Sequence, residues 1–284
     1  MTLAEPTSLE YLRQKFAALP PPVVVFNKSH SGSRLLAQLI ESAGVYMGAR
    51  LNESNDALSL LPLVEYVVER YYPDFTALLD KKAPSDEHLC RLIDRAIFEH
   101  MTNYKSGPWG WKLCETVYIL PLLDYLFPHA RYIHLIRDGR DVAFSNHVAP
   151  VIPFWQKVYI NSVGVRLRRG LVYGRGAGFC YRLAAPLYNM QHWMNSVTVG
   201  RRYGAQLGER YYEIRYEDLC LDFSATARRV LGFIGLPLLP TLAEELGASV
   251  QTQKVGKHRL YNPVIRWLVA WYGRSVLRLF GYTD

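Results

Sequence analysis

The sequence predicts an α/β fold built on a central parallel sheet with helices on both faces, and three observations carry that prediction. Short, continuous apolar runs alternate with stretches of helical periodicity. The runs lack the polar–apolar alternation of a one-sided strand, so they belong where both faces of a sheet are covered. Polar, glycine-containing loops follow the runs, at the carboxyl ends where such sheets bind ligands. The chain has 284 residues, half of them hydrophobic and a fifth charged. That suits one domain over 1–284 with its core at about 22–284.

Pro20-Pro21-Pro22 stops whatever precedes it, and Val23-Val24-Val25-Phe26 follows as a buried parallel strand. A polar loop, Asn27 to Ser33, leads into a helix with Leu35, Leu36, Leu39 and Ile40 on one side, closed by Gly44. The second strand is Trp109-Gly110-Trp111-Lys112-Leu113, before a helix around Leu122, Leu123, Leu126 and Phe127. The third is Arg131 to Ile136, ending at Arg137-Asp138-Gly139-Arg140, and the fourth is Tyr211 to Tyr216, before a helix holding Val230, Leu231, Phe233 and Ile234. Two stretches interrupt this rhythm, at about 52–105 and 146–182. The first is helical in pattern and the second is rich in Gly, Arg and aromatics, and both are expected on the acceptor side.

The net charge of +8 suits an anionic partner without naming it. Four scattered cysteines, Cys90, Cys114, Cys180 and Cys220, form no Cys-x-x-Cys pair and read as reduced, buried residues. Met1 to Pro22 has no secretory-signal pattern, and no apolar run reaches the roughly 18 residues of a membrane span, so a cytoplasmic protein is expected. No basic reading helix points to nucleic acid. The last helix sets Arg266, Arg274 and Arg278 on nearly one face, with Trp267, Trp271, Leu277 and Phe280 among its apolar residues, which suits packing on the domain or contact with a membrane surface. Trp109, Trp111, Trp155 and Trp193 are expected to pack before they line an acceptor pocket, and His134 reads as a core histidine.

A strand, a polar loop and a helix N-terminus in succession aim backbone N–H groups and the helix dipole at one point, where a phosphate or sulfate binds. The loop is Lys28-Ser29-His30-Ser31-Gly32-Ser33-Arg34, giving a P-loop-like arrangement. Gly32 permits close backbone approach; Ser31, Ser33, Lys28 and Arg34 supply hydroxyls and cations. The Gly-x-x-x-x-Gly-Lys-[Ser/Thr] spacing is missing, and with it the usual Mg²⁺ ligand, so no metal is expected. After the third strand, Arg137 and Ser145 bracket a glycine turn and suit a terminal phosphomonoester. Alternatively, Asp138, Arg140 and Asp141 form a surface ion-pair cluster.

Arg137-Asp138-Gly139-Arg140-Asp141-Val142-Ala143-Phe144-Ser145 resembles the 3′-phosphate motif of sulfotransferases that use 3′-phosphoadenosine 5′-phosphosulfate (PAPS). Lys28 to Leu35 resembles their 5′-phosphosulfate loop, Trp111-Lys112 their second strand, and Tyr216-Glu217-Asp218-Leu219 their Tyr-Glu-Asp-Leu motif, all in the family's order. The resemblance is closest to the bacterial branch. It implies sulfuryl transfer from PAPS to a hydroxyl or amine of a small-molecule, glycan or lipid acceptor. It also implies Arg137 and Ser145 at the 3′-phosphate, Tyr216 by the adenine, and Lys257 and Arg259, within Lys254-Val255-Gly256-Lys257-His258-Arg259, over the 3′-phosphate.

In such a transfer, charge gathers on the leaving oxygen, and Lys28 with the loop amides is placed to meet it. His30 stands where many relatives carry Lys or Arg. The base is Glu53 by preference, with Glu115 and His30 as rivals. Arg166, Arg168, Arg169, Arg175 and Arg182 suit an anionic acceptor or a solvated lid. The competing readings are a P-loop-type kinase and a non-catalytic nucleotide-binding protein on the same fold.

Overall fold

The computed structural model of the chain describes residues 8–80, 85–145 and 179–283, with side chains from 185 onward in the last segment. Its centre is a four-stranded, all-parallel sheet in the order β2-β1-β3-β4, formed by β1 (Val23–Asn27), β2 (Gly110–Lys112), β3 (Arg131–Ile136) and β4 (Tyr211–Arg215). The second and fourth strands are shorter than the apolar runs suggest. Trp109 makes only an isolated bridge to Tyr46, and Tyr216 already opens a helix.

All five residues of β1 are buried because the sheet is covered on both faces. Val23 and Val25 pack with Leu36, Leu39 and Ile40 of helix Ser33–Ser42 and with Val230 and Leu231 of helix Phe223–Phe233. Val24 and Phe26 point the other way, into Trp111, Tyr132 and the helices Leu61–Tyr71 and Glu87–His100. Both helices fall within 52–105 and share the main core.

The chain passes from β1 to β2 on one side and then crosses to β3 on the other, so the gap between the carboxyl ends of β1 and β3 is the sheet's topological switch point. In register, Asn27 at the end of β1 lies opposite Leu135, one residue short of the end of β3. The loop after β1 and the turn after β3 therefore start side by side.

Helix Phe179–Leu207 was not foreseen. It packs on the turn after β3, where Gly139 is pressed so close to Trp193 that a Cβ would lie 2.5 Å from the ring. Trp109, Trp111 and Trp193 are all buried, and their indole N–H groups donate to Pro20 O, Thr116 Oγ1 and Arg137 O. They are core residues; Trp155 lies outside the described residues. His134 is likewise internal: Tyr211 donates its hydroxyl proton to Glu213, so Nδ1 of His134 donates to Tyr211 at 2.7 Å. Burial, then Arg201, lowers its pKa to about 3 and keeps it neutral. Cys90, Cys114 and Cys220 are free and buried.

The last helix, Pro263–Leu279, seats Val269, Gly273 and Leu277 on the domain, with Gly273 against Met190. Phe280 is buried beyond its end. Arg266 does not share a face with Arg274 and Arg278; it turns back to donate to Arg259 O at 2.9 Å. No helix of the described residues is long and apolar enough to cross a membrane.

Gly110 lets β2 approach β1, since a Cβ there would lie 2.0 Å from Val23 O. Gly110→Ala is expected to lower stability by about 3 kcal/mol, the upper range for overpacking a core, read as a lower urea midpoint at unchanged m-value. An unchanged midpoint would show that the two strands can part without loss.

Candidate active site

The loop after β1 is shaped by its backbone. Asn27 reaches across it, its Nδ2 donating to Lys28 O at 2.6 Å, and Ser31 N donates to the same carbonyl at 3.1 Å. His30 adopts φ +69°, a left-handed conformation that His tolerates better than branched residues. Gly32 is the N-cap of helix Ser33–Ser42 at φ +84°, and no side chain caps that helix end. Its first amides are thus open to an anion. Ser31 Oγ is buried with no hydrogen-bond partner among the described residues, a donor that an anion in this loop would satisfy. Lys28 and Ser33 are buried, Ser29 is half-buried, and His30 and Arg34 are exposed.

The turn after β3 meets this loop directly. Arg137 Nη1 donates to His30 O at 3.4 Å, and its guanidinium lies 4.5 Å from the centre of the Tyr216 ring. That ring in turn covers Gly32, where a Cβ would come within 2.2 Å of it. Glu217, the next residue of the same motif, accepts from Asp138 N and from the Tyr282 hydroxyl, both at 2.9 Å, and so ties the turn to the end of the chain. Asp138 caps helix Gly139–Ala143 and pairs with Arg140 at 2.8 Å, which is the part of the predicted ion-pair cluster that forms.

Asp141 takes no part in that pair, which is itself largely buried. It is fully buried and accepts from Arg137 Nη2 (3.2 Å), Gly256 N (2.8 Å), His258 N (2.9 Å) and His258 Nδ1 (2.7 Å). Burial opposes its charge, but the bonds from His258 and the nearby Arg137 outweigh it, and the carboxyl lies below its usual range. The basic loop Lys254–Arg259 is thereby fastened beside Arg137, which also donates to Lys254 O. Lys257 is half-buried there; burial and then the charge of Arg137 lower its pKa. Arg137 Nε is buried without a partner among the described residues. Crowded cations and an orphaned donor make a place that a multiply charged anion would relieve. Ser145 stands half-buried at the end of the same turn, where Asn189 Nδ2 donates to its carbonyl at 3.4 Å.

A third cluster occupies the ends of β1 and β2. Lys112 Nζ pairs with Asp56 at 2.7 Å and donates to Ser54 O at 2.9 Å. Cys114 Sγ lies 3.5 Å from Asn27 Oδ1. Lys28 Nζ donates to Ser29 O at 3.2 Å; desolvation lowers its pKa to about 8, opposed by the fields of Cys114 and Glu115. Glu115, half-buried on the turn Cys114–Tyr118, is pushed up to about 7 by desolvation and then by Asp56. Lys28 and Glu115 thus stand within each other's field with both pKa values moved toward neutrality. Glu53 sits differently: Asn52 Oδ1 accepts from Ser54 N and Asp56 N, both at 2.9 Å, and this Asx turn leaves Glu53 exposed at its tip.

Of the residues predicted for the site, Lys28 to Ser33, Arg137, Tyr216 and Lys257 fall into one contiguous region, with Arg34 and Arg259 exposed at its margin. Trp155, Arg166, Arg168, Arg169 and Arg175 lie outside the described residues, as does the side chain of Arg182. Sequence reasoning missed Asp141 and His258 as partners, since they meet across 117 positions, and missed the Asp56–Lys112 pair. The one available signal was the place of Asp141 inside the quoted motif.

A family model described as "Sulfotransferase family" matches residues 22–240. Among solved structures, sulfotransferase STF1 from Mycobacterium tuberculosis superposes with a TM-score of 0.52 at 13% identity, covering 94% of this chain and 82% of its own. The sulfotransferase domain from the Synechococcus PCC 7002 olefin synthase gives a TM-score of 0.49 at 17% identity, covering 94% and 96%. At 13% identity the likeness to STF1 is one of fold. No curated protein sequence matches.

Asp141→Asn leaves Arg137 buried without its counter-charge, and is expected to cost about 3–5 kcal/mol. In hydrogen exchange, the amides of Gly256 and His258 should lose protection before those of β1 and β3. Unchanged protection at these two amides would mean that something other than Asp141 holds the basic loop.

Proposed function

The chain belongs to the sulfotransferase family, and from that premise we propose that it transfers a sulfuryl group from PAPS to a hydroxyl or amine of an acceptor, with residues 1–284 acting as one catalytic unit. The observation that carries the donor assignment is the meeting of the two anion sites at the switch point, where Arg137 touches the carbonyl of His30. One ligand with a phosphosulfate at one end and a 3′-phosphate at the other suits two such sites side by side. The orphaned Ser31 Oγ and Arg137 Nε fit that ligand in particular, one in each site.

In this reading, the amides at the start of helix Ser33–Ser42 and Ser31 hold the 5′ end, with Ser29, Ser33 and Arg34 around them. Arg137, Ser145, Lys257 and Arg259 hold the 3′-phosphate, and Tyr216 offers a flat face to the adenine. The donor, when bound, supplies an electrophilic sulfur on a phosphate leaving group. Lys28, buried at the start of the loop, would stabilise the negative charge left on that phosphate when the S–O bond breaks. The first turn of the helix adds its dipole to the same end.

Glu115 is the proposed base, in preference to Glu53. It takes the proton of the acceptor's hydroxyl or amine as the new bond to sulfur forms. Its support is a half-buried position beside Lys28 and a pKa of about 7, matched to proton transfer near neutrality. Glu53 is exposed on its Asx turn, and His30 is exposed on the loop. The acceptor is a small molecule, glycan or lipid that reaches the ends of β1 and β2.

Calorimetry with 3′-phosphoadenosine 5′-phosphate, ATP and Mg-ATP should show metal-independent preference for the 3′-phosphorylated ligand. Arg137→Ala should weaken it by about 1.5–3 kcal/mol. Equal affinity for ATP would refute the donor assignment.

With labelled PAPS and an acceptor panel, kcat/KM should rise with pH as Glu115 deprotonates near 7 and fall as Lys28 loses its charge near 8. Glu115→Gln should remove the acid limb and about 100-fold or more of the rate, while Glu53→Gln leaves both limbs. The reverse result would restore Glu53 as the base.

A further inference from the structure

The last helix carries a second surface that the site does not use. Trp267 and Trp271 are 63% and 55% exposed, with rings stacked at 6.4 Å between centroids, and Val264 one turn earlier is 65% exposed. Arg274 and Arg278, both exposed, continue the same stripe at the spacing of one helix face. The opposite face, Val269, Gly273 and Leu277, is the one that holds the helix to the domain. Leu260, just before the helix, is 87% exposed. Large aromatic groups on a solvent face cost free energy unless something covers them.

Charge identifies what covers them. From Gln251 to Thr283 the chain contains Lys254, Lys257, Arg259, Arg266, Arg274 and Arg278 and no Asp or Glu. A protein partner usually meets a mixed field, whereas a stripe of paired tryptophans with cations of one sign matches the boundary between headgroups and acyl chains of an anionic bilayer. Indole rings favour that depth, and arginine heads reach the phosphates above it. We propose that the outer face of helix Pro263–Leu279 docks the protein on anionic membrane surfaces, with Trp267 and Trp271 inserted and Arg274 and Arg278 at the headgroups.

This inference stands apart from the proposed chemistry, since none of these four residues belongs to the donor site. It nevertheless bears on geometry. The helix follows the basic loop directly: Arg266 donates to Arg259 O, and Tyr261 stacks on Phe144 at 4.4 Å. A docked helix therefore holds the basic loop of the site close to the bilayer.

The test is co-sedimentation of the full chain with vesicles of phosphatidylcholine alone or with added phosphatidylserine, at low and physiological salt. Binding to the anionic vesicles should exceed that to neutral ones by about tenfold or more, and should weaken with salt. Trp267→Ser with Trp271→Ser, and separately Arg274→Glu with Arg278→Glu, should each reduce anionic-vesicle binding by about tenfold or more. Both variants should keep wild-type affinity for 3′-phosphoadenosine 5′-phosphate, which shows that they are folded and separates this result from the fate of the functional reading. Equal binding of the wild type to both vesicle types overturns the proposal, as does equal vesicle binding by wild type and both variants. A salt-resistant dimer lost in the tryptophan variant, without vesicle binding, or full displacement from vesicles by duplex DNA also overturns it.

Discussion

A carboxylate with no solvent exposure has to be compensated from within, and Asp141 is compensated from two parts of the chain that are far apart in sequence. From its own turn comes Arg137; from more than a hundred residues later come the amides of Gly256 and His258 and the imidazole of His258. Through these bonds the basic loop is held against the end of β3, where it adds its cations to those already present. The arrangement stores strain on Lys257: burial first, and then the charges of Arg137 and Lys254, disfavour its ammonium, and the one central anion, Asp141, opposes them. A site that is electrostatically unhappy by itself is ready for a ligand of the opposite sign. Preorganisation here means that the cost of gathering the cations is met on folding, before any ligand arrives.

At the other end of the site the physics is desolvation. Lys28 and Glu115 are each moved toward neutral pH by loss of water, and the remaining field of one on the other limits how far either moves. A lysine and a carboxyl so placed can stabilise a leaving group and accept a proton within one narrow pH range. The neighbouring Asp56–Lys112 pair fixes the floor of this region, because it joins the Asx turn to the end of β2.

Much of this was legible in the sequence. The β1 run, the polar loop and helix Ser33–Ser42 follow from local pattern, and so does β3, because buried parallel strands leave uninterrupted apolar runs. Strand ends were less legible: Tyr216 has strand propensity, but its position against Gly32 and Arg137 makes it the first residue of a helix. Helix Phe179–Leu207 was invisible because polar Asn189, His192 and Ser196 are buried together with Tyr188, Met190 and Trp193, and Gly200 and Gly204 meet His134 and Tyr211, giving little periodic contrast. The sequence favours Glu53 over Glu115 as the base; burial separates the two in the other direction, and burial is a property of the whole fold. The burial of Asp141 and its bonds to Gly256 and His258 were not legible, because those partners are distant in sequence. In the last helix, pattern alone grouped Arg266 with Arg274 and Arg278, and a single hydrogen bond to Arg259 O removes it from that group.

The contact between Gly32 and the Tyr216 ring joins two motifs whose positions are far apart in the chain. Divergence at these two places must be epistatic. A smaller residue at 216 would make room for a side chain at 32, but it would not relieve the left-handed backbone there, so the exchange is one-sided: position 216 can drift while glycine is kept, and position 32 cannot drift first. Among relatives that retain this loop conformation, the backbone therefore holds the glycine fixed, while packing alone lets the aromatic partner be exchanged for another flat ring.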